Sequence, residues 1–288
     1  MRLAAAPISW GVCEVPGWGF QLDRDRVLED AMRLGMREIE AGPPGFLPPD
    51  AGSAREVVER RGMRVIGGYV TAVLHRSERL ETELAGLESN ARHLAALGSE
   101  MLVLAAATGR DDYDVPAELS EDEWPTLVAA LPRAAKIARA HGLDIALHPH
   151  IGTAIETPGA IDRVLRDTNI PLCLDTGHVF VGGGDPVAIA RDHPQRVAHV
   201  HLKDADGALA AAVRERRTPY AAAVARGLFR PLGDGGARIA DVLAALKRAS
   251  YAGWYVLEQD IALHEPPTEA TDPARDVLRS RDFALAHE

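Results

Sequence analysis

Residues 142–150 read Gly142-Leu143-Asp144-Ile145-Ala146-Leu147-His148-Pro149-His150. An apolar run follows a glycine and ends in two histidines. Just upstream, Trp124, Leu127, Val128 and Leu131 step by three and four, the spacing of one helix face. Gly142 supplies the left-handed residue that closes such a helix. Pro132 is expected to kink or delay it. The unit is helix, turn, buried strand, ionisable strand end.

The same unit recurs along the chain. Apolar runs stand at Leu3–Ser9, Glu38–Ala41, Arg64–Val70, Met101–Ala106, Pro171–Asp175, Val197–Lys203 and Trp254–Glu258, which with Asp144–His148 makes eight. They are largely apolar rather than alternating, as strands covered on both faces are. Between them Leu80, Leu84, Leu87, Ala91 and Leu94 repeat the helical step. Gly35, Gly62 and Gly98 end helical stretches as Gly142 does, Ser53-Ala54-Arg55-Glu56 reads as a capping box, and Asp272-Pro273 reads as the start of the last helix. No linker divides the chain, and no G-x-G-x-x-G follows an early strand, as a doubly wound sheet would show. Eight strand–helix units predict an α/β fold: one (β/α)₈ TIM barrel over residues 1–288, a parallel eight-stranded barrel with outer helices.

Two connections are long, Thr108–Glu121 and Asp204–Gly236. The second carries Arg214, Arg216, Arg217, Arg226 and Arg230, and residues 204–236 are expected either to lie over the barrel mouth as a lid or to present a solvated face.

Composition narrows the partners. Lys plus Arg number 32 against 42 Asp plus Glu, a net charge of −10. That disfavours nucleic acid and anionic membranes as partners. The two cysteines, Cys13 and Cys173, form no disulfide framework and suit a reducing compartment. No run reaches the roughly 20 apolar residues of a membrane span, and Pro7 breaks the opening segment, so a cytoplasmic protein is expected.

The chemistry gathers at strand ends. Strand five ends in His148-Pro149-His150 and strand six in Asp175-Thr176-Gly177-His178. Strand seven reads His199-Val200-His201-Leu202-Lys203-Asp204, strand eight ends in Glu258-Gln259-Asp260, and strand two ends at Glu40. In a barrel all of these meet at one rim. So many buried ionisable groups need partners, and imidazole with carboxylate makes a site for one divalent ion: manganese or cobalt first, with zinc, iron or magnesium as alternatives. His201, at the strand end, is the expected ligand of strand seven, with His199 on the same face but deeper. His148 and His150 also share a face, and either can ligate.

These segments carry a resemblance. Together with Ala6-Pro7-Ile8-Ser9-Trp10-Gly11, Ile39-Glu40-Ala41-Gly42, Gly227-Leu228-Phe229 and Gly233-Asp234-Gly235, they make the chain resemble the xylose-isomerase-like TIM-barrel superfamily of sugar isomerases, epimerases and dehydratases. The D-T-G-H and H-x-H-x-K-D pieces indicate the superfamily. H-x-H-x-G-T and G-x-F…G-D-G point to its inosose dehydratase branch. The resemblance implies metal ligands at Asp175, His201 and Glu258, with His148 standing where epimerases of the superfamily carry a glutamate. It implies a hydro-lyase acting on a cyclic keto-polyol such as 2-keto-myo-inositol, through an enolate whose charge the ion offsets. A ketose isomerase or epimerase is the alternative. His150, Glu258 and Glu156 are then the acid or base candidates, and Lys203 stabilises the enolate oxygen or orients a carboxylate. Glu40, Trp10 and His178 are expected around the substrate, with Trp18 also at the mouth. The partner is a small keto-polyol or sugar, and a homo-oligomer stays open. A DNA-repair endonuclease on the same barrel would want a trinuclear zinc cluster and a basic DNA-facing surface, and the acidic balance counts against it.

Overall fold

The computed structural model describes residues 1–110, 113–115 and 118–288. Eight strands close a parallel barrel: β1 (Arg2–Ala5), β2 (Glu38–Glu40), β3 (Arg64–Ala72), β4 (Met101–Ala106), β5 (Asp144–Leu147), β6 (Leu172–Asp175), β7 (Val197–Leu202) and β10 (Trp254–Leu257), with β10 between β7 and β1. A small antiparallel pair, β8 (Asp204–Ala205) and β9 (Phe229–Arg230), stands outside it. The outer layer is helical, from Arg24–Arg33 after β1 to Pro273–Ala286 after β10. The fold is the expected (β/α)₈ barrel. No helix among the described residues is long and apolar enough to cross a membrane.

Period-two alternation sorts the core. Leu102, Leu104, Leu147, Leu172 and Leu174 pack outward with the helices, while Met101, Val103, Ala146 and Cys173 form a separate inner cluster. Asp175 shares a face with Cys173, and His148 with Ala146, so both continue the inner face to the rim. The register then aligns the rim. Asp175 pairs with His201 and Val256 with His201, while the His148 amide donates to the Leu104 carbonyl at 2.7 Å and that of Glu258 to Leu202 at 3.1 Å.

Several local expectations change. The first strand stops at Ala5 rather than Ser9, because Pro7 opens a 3₁₀ turn over Pro7–Trp10. The helix at Ala51–Glu59 is capped by Asp50, whose carboxylate accepts from the Ser53 amide at 2.8 Å, so Ser53 lies in the first turn instead of capping it. The helix Glu123–Ala140 runs through Pro132, and Gly142 follows it at φ +76°. Asp272 and Pro273 open the last helix as read. Of the connection Thr108–Glu121, residues Asp111, Asp112, Pro116 and Ala117 lie outside the described residues.

The segment 204–236 is folded rather than an open loop. It holds the β8–β9 pair and helices Gly207–Arg214 and Tyr220–Ala225, packed around Tyr220, Leu228 and Phe229. Four of its arginines have partners: Arg214 donates to the Phe180 and Val181 carbonyls, and Arg216, Arg217 and Arg230 pair with Glu156, Glu215 and Asp206. Buried Asp204 organises its return. One carboxylate oxygen accepts from the amides of Ala205 and Ala237 at 3.0 and 2.9 Å, the other from Gly233 and Gly235 at 2.9 and 3.0 Å. A Cβ on Gly235 would meet that carboxylate at 2.4 Å, which accounts for the last glycine of G-D-G. Asp204→Ala orphans these donors and is expected to cost about 3 kcal/mol, seen as a lower urea midpoint at unchanged slope. An unchanged midpoint would show that the clamp adds nothing to stability.

Candidate metal centre

Donor atoms of Asp175, His201 and Glu258 lie within 4.8 Å of one another at the strand ends, and His148 Nε2 stands beside the first two. His201 Nδ1 lies 3.1 Å from His148 Nε2, 3.1 Å from Glu258 Oε2 and 3.5 Å from Asp175 Oδ2, and His148 Nε2 is 3.5 Å from Asp175 Oδ2. Ligands about 2.1 Å from a tetrahedral ion sit roughly 3.4 Å from one another. The spacing therefore fits one small divalent ion. Asp175 Oδ2 is buried with no hydrogen bond, its nearest cation being the Lys203 ammonium at 3.1 Å. A buried carboxylate oxygen without a hydrogen bond is what an ion would satisfy.

Two other trios bring donor atoms together, Glu40–His199–His201 and His148–Cys173–His201. Neither fits as well. Glu40 Oε1 already accepts from the Nε2 of both His199 and His201, at 3.0 and 3.2 Å. Burial pushes the Cys173 thiol up to about 11, which keeps it a neutral thiol rather than a thiolate ligand.

Charge points the same way. Lys203 is 2% exposed, and its Nζ lies 2.8 Å from Glu258, 2.8 Å from Asp260 and 3.1 Å from Asp175. Burial works against this ammonium, yet the Asp175, Asp260 and Glu258 carboxylates hold it well above the usual lysine range. Burial would likewise raise Glu258, but His201 and Lys203 outweigh it and bring its carboxyl down to about 2. Four carboxylates, Asp175, Glu258, Asp260 and Glu40, surround Lys203 and His201, a surplus of acidic groups in a dry site that suits a divalent ion.

His148, His201 and Glu258 line a cavity of about 320 Å³. Tyr69, Tyr113, Tyr220 and Trp18 contribute an aromatic wall, with His150 and Lys203 on the polar side. His150 Nδ1 donates to the Ile151 carbonyl at 2.7 Å, so its Nε2 is the acceptor. Burial, then the neighbouring His148 and Lys203, drive His150 down to about 3 and keep it neutral.

The remaining sequence candidates separate. Glu40 lines the cavity, but one of its oxygens is engaged by the two histidines. His178 lies behind His150, with ring centroids 3.7 Å apart, and accepts from Lys203 Nζ at 3.1 Å. Trp10, expected at the mouth, is fully buried in the main core and does not line the cavity; the 3₁₀ turn rotates it inward, and Trp18 takes the mouth position. Glu156 is also off the cavity. One of its oxygens accepts from the Gly152 amide at 2.8 Å and the other pairs with Arg216 at 3.1 Å, so it braces the β5 loop and is removed as acid or base. Asp260, read only as a strand end, gains partners in Lys203 and in the Tyr220 hydroxyl, which donates to it at 2.9 Å. Tyr69 and Tyr113 carried no signal in the sequence, since an aromatic in an apolar run or a loop reads as packing.

A family model for xylose isomerase-like TIM barrels matches residues 28–281. An inosose dehydratase of Geobacillus kaustophilus is 33% identical over 282 residues, covering 93% of this chain and 91% of that protein. An L-ribulose 3-epimerase structure superposes with a TM-score of 0.72 at 18% identity, over 99% of this chain and 94% of the other. A probable 3-DHS dehydratase from Bacillus anthracis gives 0.71 at 17% identity, over 99% of both chains. Epimerase and dehydratase thus share this backbone, and the fold alone does not choose between them.

Proposed function

Because the chain belongs to the xylose isomerase-like TIM-barrel family, we propose that it is a metal-dependent hydro-lyase that removes water from a cyclic keto-polyol such as 2-keto-myo-inositol. The observation that carries the reading is the composition of the donor quartet. Its strand-five member is an imidazole, His148, rather than a second carboxylate opposed to Glu258. His148, Asp175, His201 and Glu258 would hold the ion. When bound, a divalent ion polarises a carbonyl and makes the neighbouring C–H more acidic.

The other side chains supply the rest. His150 lines the cavity with its Nδ1 held by the Ile151 carbonyl, and its other nitrogen takes the proton from carbon. Lys203 offers positive charge to the oxygen on which negative charge develops. The imidazolium formed at His150 then returns its proton to the β-hydroxyl, which leaves as water while the C=C bond forms, so protons and charge balance. The aromatic wall excludes water and packs on the apolar face of a ring. No phosphate cradle lines the cavity among the described residues, and Lys203 is already shared by three carboxylates, which favours an uncharged substrate.

The test is to incubate manganese- or cobalt-loaded protein with a panel of inososes and free ketoses. A product lighter by one water supports the lyase. An isomer of unchanged mass transfers the reading to a ketose isomerase or epimerase.

The strand-five position gives a sharper check. His148→Glu adds a negative ligand, lowers the net positive charge of the site and restores an opposed base. Dehydration is expected to fall roughly tenfold or more, about 1.4 kcal/mol in barrier. Deuterium from solvent should enter recovered substrate faster than in the parent. Faster dehydration in this variant would reverse the role given to His148.

A further inference from the structure

Glu40 stands at the end of β2, yet its carboxylate reaches across the barrel interior to two histidines of β7. It is 4% exposed, and His199 and His201 are 0% and 1% exposed. The alternation of β7 turns both histidines inward, two residues apart, and a single oxygen, Glu40 Oε1, accepts from both Nε2 atoms. A carboxylate oxygen can only accept, so each Nε2 carries a hydrogen. With Nε2 committed to Glu40, Nδ1 is the ring nitrogen of His201 left to meet the other donors. Its Nδ1 faces His148 Nε2, Glu258 Oε2 and Asp175 Oδ2.

We infer that Glu40 is a positioning residue for the metal centre: it locks His201 in the Nε2–H tautomer and so presents Nδ1 as a ligand. His199 is the second anchor. By donating to the same oxygen it fixes where that oxygen lies, and its own Nδ1 is buried without a partner, so no other hydrogen bond holds this ring in place. Negative charge on Glu40, relayed through the ring, also makes Nδ1 a stronger donor to a cation. The inference rests on the reading of His201 as a metal ligand, and its test separates the two.

Zinc is the probe, because it is diamagnetic and suits nitrogen and oxygen donors. Zinc affinity is measured by chelator competition in the parent, Glu40→Gln and Glu40→Leu. Long-range proton–nitrogen spectra of histidine-labelled, zinc-loaded protein report which nitrogen of His201 carries hydrogen. Glutamine keeps an acceptor and loses the charge, so the tautomer should persist while affinity drops about tenfold. Leucine removes both, so affinity should fall roughly ten- to a hundredfold and the Nε2–H signal of His201 should no longer be fixed. Should the leucine variant fail to fold, the glutamine variant decides. Zinc bound by Glu40→Gln as tightly as by the parent overturns the inference, as does a parent His201 protonated on Nδ1 and metallated on Nε2. A parent that binds no zinc ends the metal-centre reading itself, and this inference with it.

Discussion

Asp175→Asn is expected to leave a folded barrel that no longer binds a divalent ion tightly. The substitution is chosen because Asp175 has two jobs. Its Oδ1 accepts from the His178 amide at 2.7 Å and so caps the helix Thr176–Val181. Asparagine keeps an acceptor there, and the cap survives. Its Oδ2 faces the other three donors, and there asparagine removes the charge. Glu258 would be left as the sole anionic ligand. Affinity should fall about a thousandfold, on the order of 4 kcal/mol, and turnover should fall with it. Lys203 still has Glu258 and Asp260 beside it, so the apo protein should melt close to the parent. Metal analysis showing unchanged stoichiometry and affinity in a folded variant would remove Asp175 from the ligand set.

The convergence of His148, Asp175, His201 and Glu258 was legible because it follows from topology. Each residue closes an apolar run, and parallel strands in a closed barrel bring all such ends to one rim. What the sequence hid lies in reach and rotation. Glu40 meets His199 from 159 positions away, and nothing in either segment marks the pair. Glu156 was a plausible acid until Arg216, 60 positions on, captured it from outside the cavity. Trp10 looked like a mouth residue because the first strand was read four residues too long; Pro7 ends that strand and turns the indole into the core. The choice of His201 nitrogen is set by a hydrogen bond across the barrel, which residue spacing does not encode. The segment 204–236 read as a long connection, either a lid or a solvated face, because nothing in it marks the contacts by which Asp204 and Tyr220 anchor it.

Lys203→Met should give the largest combined effect, and its cost in stability should be smaller in the loaded protein than in the apo protein. The stem of Lys203 packs under the turn after β6, where a Cβ on Gly177 would meet its Cγ at 2.5 Å. Methionine fills much of that space, so packing is largely conserved. The lost ammonium is the point. Asp175, Glu258 and Asp260 are left as neighbouring buried carboxylates with their shared cation gone. Removing one partner of a buried charge network costs about 3–5 kcal/mol, and the apo variant should lose stability on that scale. A divalent ion restores positive charge beside two of the three carboxylates. The variant should therefore gain more stability from saturating metal than the parent does, because ligand binding stabilises in proportion to the logarithm of concentration over Kd, and its Kd should be lower. Activity should not recover with stability. The loaded variant lacks the cation beside the developing oxyanion and should turn over about a hundred- to a thousandfold more slowly. Unfolding curves and metal titrations of both proteins, apo and loaded, read all three quantities. Equal destabilisation in the two states would make Lys203 a structural ion pair with no electrostatic link to the metal centre. Full turnover in the loaded variant would remove it from the chemistry.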